Sequence, residues 1–205
     1  MPLLPSIKPA QEKLTIADVQ AFYHVPSIGY VRNLESHIFQ IYDDTATGTV
    51  EWVAMNDTAL AVFVPYLPML TTDVYAAYKV STPTAPFVEE EPTEGLYYPT
   101  TVNRRNEAGE RVAVEGFKVL PDNWAESMYW TNDVLSNYVM FCGLDEATVS
   151  TVYEWVYNYQ DGINEAFAGA KSELNDAESA TAWSMTCAEN AHNVAVGWVN
   201  DLLAD

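Results

Sequence analysis

The sequence predicts a single α+β domain in which an antiparallel sheet is flanked by helices and the C-terminal third is helical. Three short segments rich in β-branched and aromatic residues follow one another between residues 34 and 64, separated only by turn-forming residues. After residue 122, apolar residues recur at steps of three and four, which is the spacing of one helical face. A chain of 205 residues with 49% hydrophobic content is long enough to bury one sizeable core.

The N-terminal region is expected to contain one short helix. Residues 1–14 include three prolines and are expected to be an irregular leader, without the basic and apolar regions of a secretory signal peptide. Residues 15–80 are expected to hold this helix and a strand meander. The helix should begin after Thr15, whose hydroxyl can cap the first turn, with Asp18 favourably placed near the helix N-terminus. Pro26 should end it, because the residue before a proline avoids helical dihedrals.

Three strands are predicted next, over Leu34–Tyr42, Thr49–Met55 and Ala59–Val64. The connections DDTATG and ND are rich in turn formers, so the strands should form an antiparallel meander. Alternation in the first strand places four side chains on one face: Glu35, His37, Phe39 and Ile41. Neither face of this strand is plainly polar, which predicts a sheet that is covered on both sides.

The remaining chain divides into an irregular part and a helical part. A short helix is expected over Asp73–Val80. Residues 81–122 are expected to be an irregular loop, with the acidic run EEEPTE exposed to solvent and RRNEAGER forming an exposed turn. Residues 123–205 are expected to be helical, with Asn175 or Asp176 capping the last helix. Three apolar stripes support this assignment: Trp124, Met128, Leu135, Tyr138 and Cys142; Val149, Val152, Val156, Ile163 and Phe167; and Ala180, Trp183, Cys187, Ala191, Val194, Trp198 and Leu202.

The charge balance limits the kinds of partner. The chain has 29 acidic and 9 basic residues and a formal net charge of −20. Nucleic-acid and anionic-membrane partners are not expected, because both require clustered lysine and arginine. The longest apolar run, residues 58–72, contains two prolines and is too short to cross a bilayer. Such a charge favours solubility and basic or zwitterionic ligands, and without any targeting signal the default compartment is the cytoplasm.

Signatures of common catalytic sites are absent. The sequence has no glycine-rich phosphate loop, HExxH, CxxC or GxSxG. Cys142 and Cys187 lie on the helical stripes and are expected to be buried, inert thiols. His24 is placed in a loop, and His192 is expected to be a packed or surface histidine. No metal, cofactor or catalytic residue is predicted, and the sequon at Asn56 is interpreted as a tight turn.

The strongest candidate for a binding site is the stretch around the first strand. Glu35 and His37 lie two residues apart on a strand, so they share a face and can present a polar pair to a pocket. Arg32 and Asn33 precede the strand, where loops deliver functional groups. We therefore select Arg32, Asn33, Glu35 and His37 as candidate substrate-binding residues. The alternative is structural, a glutamate that is satisfied by arginine or histidine at a sheet edge.

The same stretch resembles a known family. SIGYVRNLESHIFQI is similar to the pattern I-(S/G)-x-x-R-T-x-E-S-H-I-F-Q of bacterial cysteine dipeptidases, which are secernin-related members of the N-terminal-nucleophile (Ntn) hydrolases. The segments GTVEWVAM, AVFVPYLP, VYAAYKV and ESMYWTNDVLSNYV resemble the elements that follow in that family. The resemblance is most specific in ESHIFQ and covers most of this chain, but only the C-terminal part of the family's usual length.

The resemblance implies a fold and a chemistry. The fold would be part of a four-layer αββα sandwich, and the activity would be peptide-bond hydrolysis by an amino-terminal cysteine. This chain begins with methionine and carries no such cysteine, so it is expected to be inactive alone and to contribute scaffold and pocket wall. Arg32 would bind a peptide carboxylate through paired hydrogen bonds, and Glu35 would receive an ammonium or order Arg32.

Two other interpretations remain open from the sequence. The chain can be a non-catalytic binding or structural module derived from the family, or one half of a split enzyme. The expected partners are a small peptide ligand and either an N-terminal half or a second copy of the chain.

Overall fold

The computed structural model describes residues 13–29, 34–43, 48–80 and 85–204. Most of the predicted irregular leader therefore lies outside the described residues. Helix α1, Ile16–Tyr23, begins after Thr15, whose hydroxyl accepts a hydrogen bond from the Asp18 N–H. The Asp18 carboxylate accepts in return from the Thr15 N–H at 2.8 Å, which completes a capping box. The predicted helix start is thus confirmed, and the helix ends just before Pro26.

The first sheet is the predicted antiparallel meander. Strands β1 (Glu35–Ile41), β2 (Thr49–Met55) and β3 (Val64–Tyr66) pair in the order β1-β2-β3. The bounds of the second predicted strand are confirmed, and those of the first differ by one residue at each end. The predicted third strand, Ala59–Val64, is wrong in its bounds because β3 begins only at Val64.

Side chains replace a strand partner in the segment before β3. Asn56 adopts a left-handed conformation with φ of 65°, and the Asp57 carboxylate accepts a hydrogen bond from the Ala59 N–H at 2.9 Å. Further along, the Gln160 amide accepts from the Phe63 N–H at 2.6 Å and donates to the Phe63 C=O at 3.2 Å. These bonds satisfy buried backbone groups without a ladder, so the apolar run is buried but irregular.

The two faces of the first sheet have different surroundings. On the inner face Val50, Trp52 and Ala54 are fully buried, and the Trp52 ring meets the Phe167 ring edge-on at 5.3 Å. On the outer face Phe39 is 59% exposed and Ile41 is 80% exposed. The prediction of a sheet covered on both sides was therefore wrong for β1, because the described elements leave the outer face of this strand exposed.

Residues 81–122 contain a second sheet, so the prediction of an irregular loop was also wrong. Strands β4 (Phe87–Val88), β5 (Tyr97–Arg105) and β6 (Arg111–Val119) form an antiparallel sheet in the order β4-β6-β5. The outer halves of β5 and β6 are exposed. Polar side chains occupy both faces of β5 there, and the alternation of Val112 and Val114 with Arg111 and Glu115 in β6 is too short to have marked a strand by itself.

Two further local predictions fall within or next to this region. The predicted exposed turn is confirmed: the Gly109 N–H donates to the Asn106 C=O at 2.9 Å between β5 and β6. The acidic run at 89–94 is largely exposed, as expected. Before the second sheet, the helix predicted over Asp73–Val80 is only a single 3₁₀ turn, Ala76–Tyr78.

The C-terminal region is helical, as predicted. Helices α2 (Met128–Phe141), α3 (Glu146–Ala170) and α4 (Ala177–Ala204) follow one another. Asp176 accepts a hydrogen bond from the Ser179 N–H at 2.8 Å, which identifies it as the cap of α4. The described residues therefore form an α+β fold with two small antiparallel sheets and four α-helices, and the inner sheet face and the helices share one apolar core.

Candidate functional site

The candidate residues selected from the sequence fall into two groups. Arg32 and Asn33 lie outside the described residues. Glu35 and His37 lie on β1 and share its outer face, as the strand period predicted. The structure therefore brings together the strand part of the candidate site.

His37 bridges two carboxylates on this face. Its Nδ1 lies 2.7 Å from Oε1 of Glu51 on β2, and its Nε2 lies 3.6 Å from Oε1 of Glu35. A carboxylate can only accept, so Nδ1 donates to Glu51. In neutral histidine this leaves Nε2 as an acceptor for a ligand proton, and in the protonated form it leaves a cation beside Glu35.

Sequence reasoning missed Glu51, although a signal for it existed. Residue pairing places Phe39 opposite Glu51 and His37 opposite Val53, so Glu51 is the diagonal neighbour of His37 on the same face. The DDTATG turn predicts a hairpin, and period-two alternation in TVEWVAM puts Glu51 on one face of its second strand. Together they predict that Glu51 lies near His37.

A cleft of about 450 Å³ opens beside this histidine. Its floor is the outer face of β2 and β3, and its far wall is the segment after β3. The lining residues are His37, Glu51, Val53, Tyr66, Pro68, Thr71, Thr72, Asp73, Val74 and Tyr78. Asp73 is paired with Lys79 at the rim. A mixed polar and apolar concavity of this size can hold a small molecule or a short peptide.

Two tyrosines form the inner end of the cleft. The rings of Tyr66 and Tyr78 meet edge-on with centroids 6.2 Å apart. Burial raises the pKa of the Tyr66 hydroxyl, and burial likewise raises the pKa of Tyr78 well above its ordinary value. Both phenols therefore stay neutral near neutral pH and offer aromatic surface rather than charge.

Neither cysteine is an activated nucleophile. Cys142 and Cys187 are free thiols, and each is partly buried. The sequence predicted buried thiols, so their burial is less complete than expected. Burial raises the pKa of Cys187 to about 12 and also raises that of Cys142. Because the thiolate is the reactive form, both thiols are inert at neutral pH. Cys187 lines a different groove of about 340 Å³, between α3 and α4.

A buried carboxylate at Asp133 organises a second polar cluster, which sequence reasoning did not identify. Asp133 accepts hydrogen bonds from the Tyr98 hydroxyl at 2.6 Å and from Asn56 Nδ2 at 2.9 Å. Lys118 Nζ lies 3.2 Å from its Oδ2 and 4.7 Å from the centroid of the Trp130 ring. The cluster joins α2, the second sheet and the turn after β2, which indicates a structural role.

The other histidines and the sequon are structural. His24 is buried, and burial lowers its pKa to about 4 against a smaller opposing effect from a backbone hydrogen bond to Ala61. His192 is packed, as predicted, with Nε2 at 3.1 Å from the Thr131 hydroxyl. The residues of the sequon, Asn56–Thr58, are buried in a turn, in agreement with the sequence interpretation.

Comparison of the chain with protein-family models, with curated proteins and with solved structures finds no match in any of the three. Within the described ranges, no three side chains of metal-ligating type come together. The described helices include none with the length and apolarity needed to cross a membrane.

Proposed function

We propose that this chain is the C-terminal portion of a dipeptidase-like cysteine peptidase of the Ntn hydrolase superfamily. It contributes scaffold and one wall of a peptide pocket, and its first sheet is one layer of an αββα sandwich. The observation that carries the proposal is the cleft beside His37. This cleft opens on the strand that contains ESHIFQ, the segment with the most specific resemblance to the family.

The chemistry of the cleft suits a short peptide. Within the cleft Glu51 attracts an ammonium group, and Glu35 does so beside it. His37 Nε2 can accept a proton from a peptide N–H. The neutral rings of Tyr66 and Tyr78 offer apolar contact to a side chain. In this proposal Arg32 holds the peptide carboxylate, as the family resemblance implies.

Hydrolysis is not expected from this chain alone. Peptide cleavage in the family needs a cysteine thiolate whose own α-amine serves as the base. Cys142 follows the end of α2 and Cys187 lies within α4, so neither carries a free α-amine. The raised pKa of both thiols removes the thiolate as well.

Binding and cleavage can be tested separately on the purified chain. Titration calorimetry with a panel of unmodified dipeptides should detect binding, and His37→Ala or Glu51→Gln should weaken it at least about tenfold, since each loses a charge-assisted contact. Glu115→Gln, which changes an exposed carboxylate on β6, is the matched control and should bind like the unmodified chain. Absence of binding to every dipeptide would overturn the pocket assignment.

Cleavage is followed by chromatography of the same dipeptides after incubation with the chain. No product is expected. Product that persists after repurification and disappears in a Cys142→Ala or Cys187→Ala variant would show that the chain has a nucleophile of its own, and the role of inert pocket wall would have to be abandoned.

The exposed outer face of β1 favours a second candidate, a non-catalytic module that binds a partner through this sheet. Phe39 and Ile41 are exposed side by side on that face, and neighbouring exposed apolar side chains can form an interaction site. Binding of a protein partner without any dipeptide binding would favour this candidate over the pocket wall.

A further inference from the structure

The free edge of β1 is a surface that a partner strand can join. β1 pairs with β2 and with no other described strand. The Asn56 N–H donates to the Leu34 C=O and the Tyr42 N–H donates to the Gly48 C=O, each at 2.8 Å. Even-numbered residues at both ends of the strand are therefore the ones bonded to β2.

Antiparallel pairing alternates, so the odd-numbered residues point their backbone groups away from β2. The N–H and C=O groups of Glu35, His37, Phe39 and Ile41 thus face outward along the free edge. Natural proteins protect such edges with proline, bulges or lysine. β1 has none of these, since its sequence is ESHIFQI and it pairs in continuous register with β2.

The side chains of these same residues form the outer face. Phe39 is 59% exposed and Ile41 is 80% exposed. The opposite end of β1 is acidic, with Glu35 exposed and Glu51 beside His37.

We propose that the β1 edge binds an extended polypeptide segment of a partner by strand addition, with apolar residues facing Phe39 and Ile41 and basic residues facing the acidic end, at Glu35 and the His37–Glu51 pair. Main-chain hydrogen bonds supply the affinity in this mode, and side chains at alternate positions supply the specificity. Each opposite-charge pair across neighbouring strands adds a favourable increment.

The charge of the chain argues for a basic partner and against a second copy. The net charge is −20, so two copies repel each other, whereas a basic segment is attracted both over long range and at Glu35. The proposal does not depend on the dipeptidase-like function, because it rests on the backbone edge of β1. The cleft shares the His37 side chain with this edge, but dipeptide binding and exchange at the outward N–H groups of β1 are separate measurements that can fail independently.

The test uses the full chain and a synthetic peptide, N-acetylated and C-amidated, of sequence Val-Thr-Val-Thr-Lys-Thr-Lys. In antiparallel register its two valines face Ile41 and Phe39 and its two lysines face His37 and Glu35. Amide hydrogen exchange followed by NMR should show slow exchange at Ile38 and Gln40 in the free chain, because their N–H groups face β2.

Peptide addition should slow exchange at the outward N–H groups of Glu35, His37, Phe39 and Ile41 by at least about tenfold, because they gain partners. The peptide Val-Thr-Val-Thr-Glu-Thr-Glu should protect them much less. Glu35→Lys should reverse this preference, and Glu115→Lys, at an exposed site on β6, should leave it unchanged.

Three results would overturn the proposal. The first is no protection at the outward N–H groups with the lysine peptide. The second is equal protection by both peptides. The third is protection in the free chain that grows with its concentration together with a dimer mass in sedimentation, since a second copy would then occupy the edge.

Discussion

Replacing Tyr98 and its chain neighbour Tyr97 by phenylalanine compares one hydroxyl–carboxylate hydrogen bond in the core with one at the surface. The Tyr98 hydroxyl donates to Asp133 at 2.6 Å, and both residues are buried. The Tyr97 hydroxyl donates to Glu91 at 3.0 Å in an exposed position. The chemical change is the same in both variants, so the difference in stability reports the effect of burial.

The expected cost of Tyr98→Phe follows from the partners that remain. A hydrogen bond to a charged group contributes about 1.5–3 kcal/mol, more when the group left behind is buried. Lys118 and Asn56 still contact the Asp133 carboxylate, so we expect a loss of about 2 kcal/mol in the free energy of unfolding. For a chain of this size that lowers Tm by about 4–8 °C. Tyr97→Phe should leave the unfolding midpoint unchanged.

Urea unfolding measures this difference as a shift in midpoint at constant m-value. A double-mutant cycle with Asp133→Asn identifies the contact, because Tyr98→Phe should cost less in the Asp133→Asn background than alone. Equal midpoints for Tyr97→Phe and Tyr98→Phe, or additive effects of Tyr98→Phe and Asp133→Asn, would refute the assignment of Asp133 as a carboxylate that needs its buried partners.

Two further predictions concern a buried histidine and two glycines. The pKa of His24 is about 4 in the folded chain against 6.5 for a free histidine, so the unfolded state binds the extra proton and stability falls as the pH falls from about 6.5 to about 4. His24→Phe should lose this pH dependence. The measurement is the difference in unfolding free energy between the chain and the variant across that pH range. A difference that stays constant with pH would contradict the prediction. A Cβ at Gly116 would lie 2.3 Å from the Val88 C=O oxygen, whereas one at Gly162 meets nothing within 4 Å. Gly116→Ala should therefore lower the urea midpoint by disturbing the β4–β6 pairing. Gly162→Ala in α3 should raise the midpoint, with a gain of about 0.5–1 kcal/mol in the free energy of unfolding; the reverse order would rule out this packing.

The alternation of side chains along a strand predicts only part of the candidate site. Alternation placed Glu35 and His37 on one face of β1, and the structure agrees. Glu51 lies on the neighbouring strand of the same hairpin, opposite Phe39. The strand period and the turn therefore could have identified it, but it was not selected. The cleft itself also depends on Asp73 and Tyr78, which come from the segment after β3 that no strand or helix period describes.

Local sequence patterns are sufficient to predict several elements of this protein. The capping box at Thr15, the β1–β2 hairpin and the helical C-terminal third depend on contacts between residues a few positions apart, which local patterns record. The sequence also determines the acidic character, with a net charge of −20, because composition alone sets it.

Long-range packing sets which partners the buried polar groups have and which sheet face is covered. Asn56 and Asp133 are 77 residues apart in the chain, and Phe63 and Gln160 are 97 residues apart. A buried polar group needs a partner, but its own sequence neighbourhood does not specify which one. The exposure of β1 has the same origin, since alternation defines two faces and only the packing of α2, α3 and α4 determines which of them is buried.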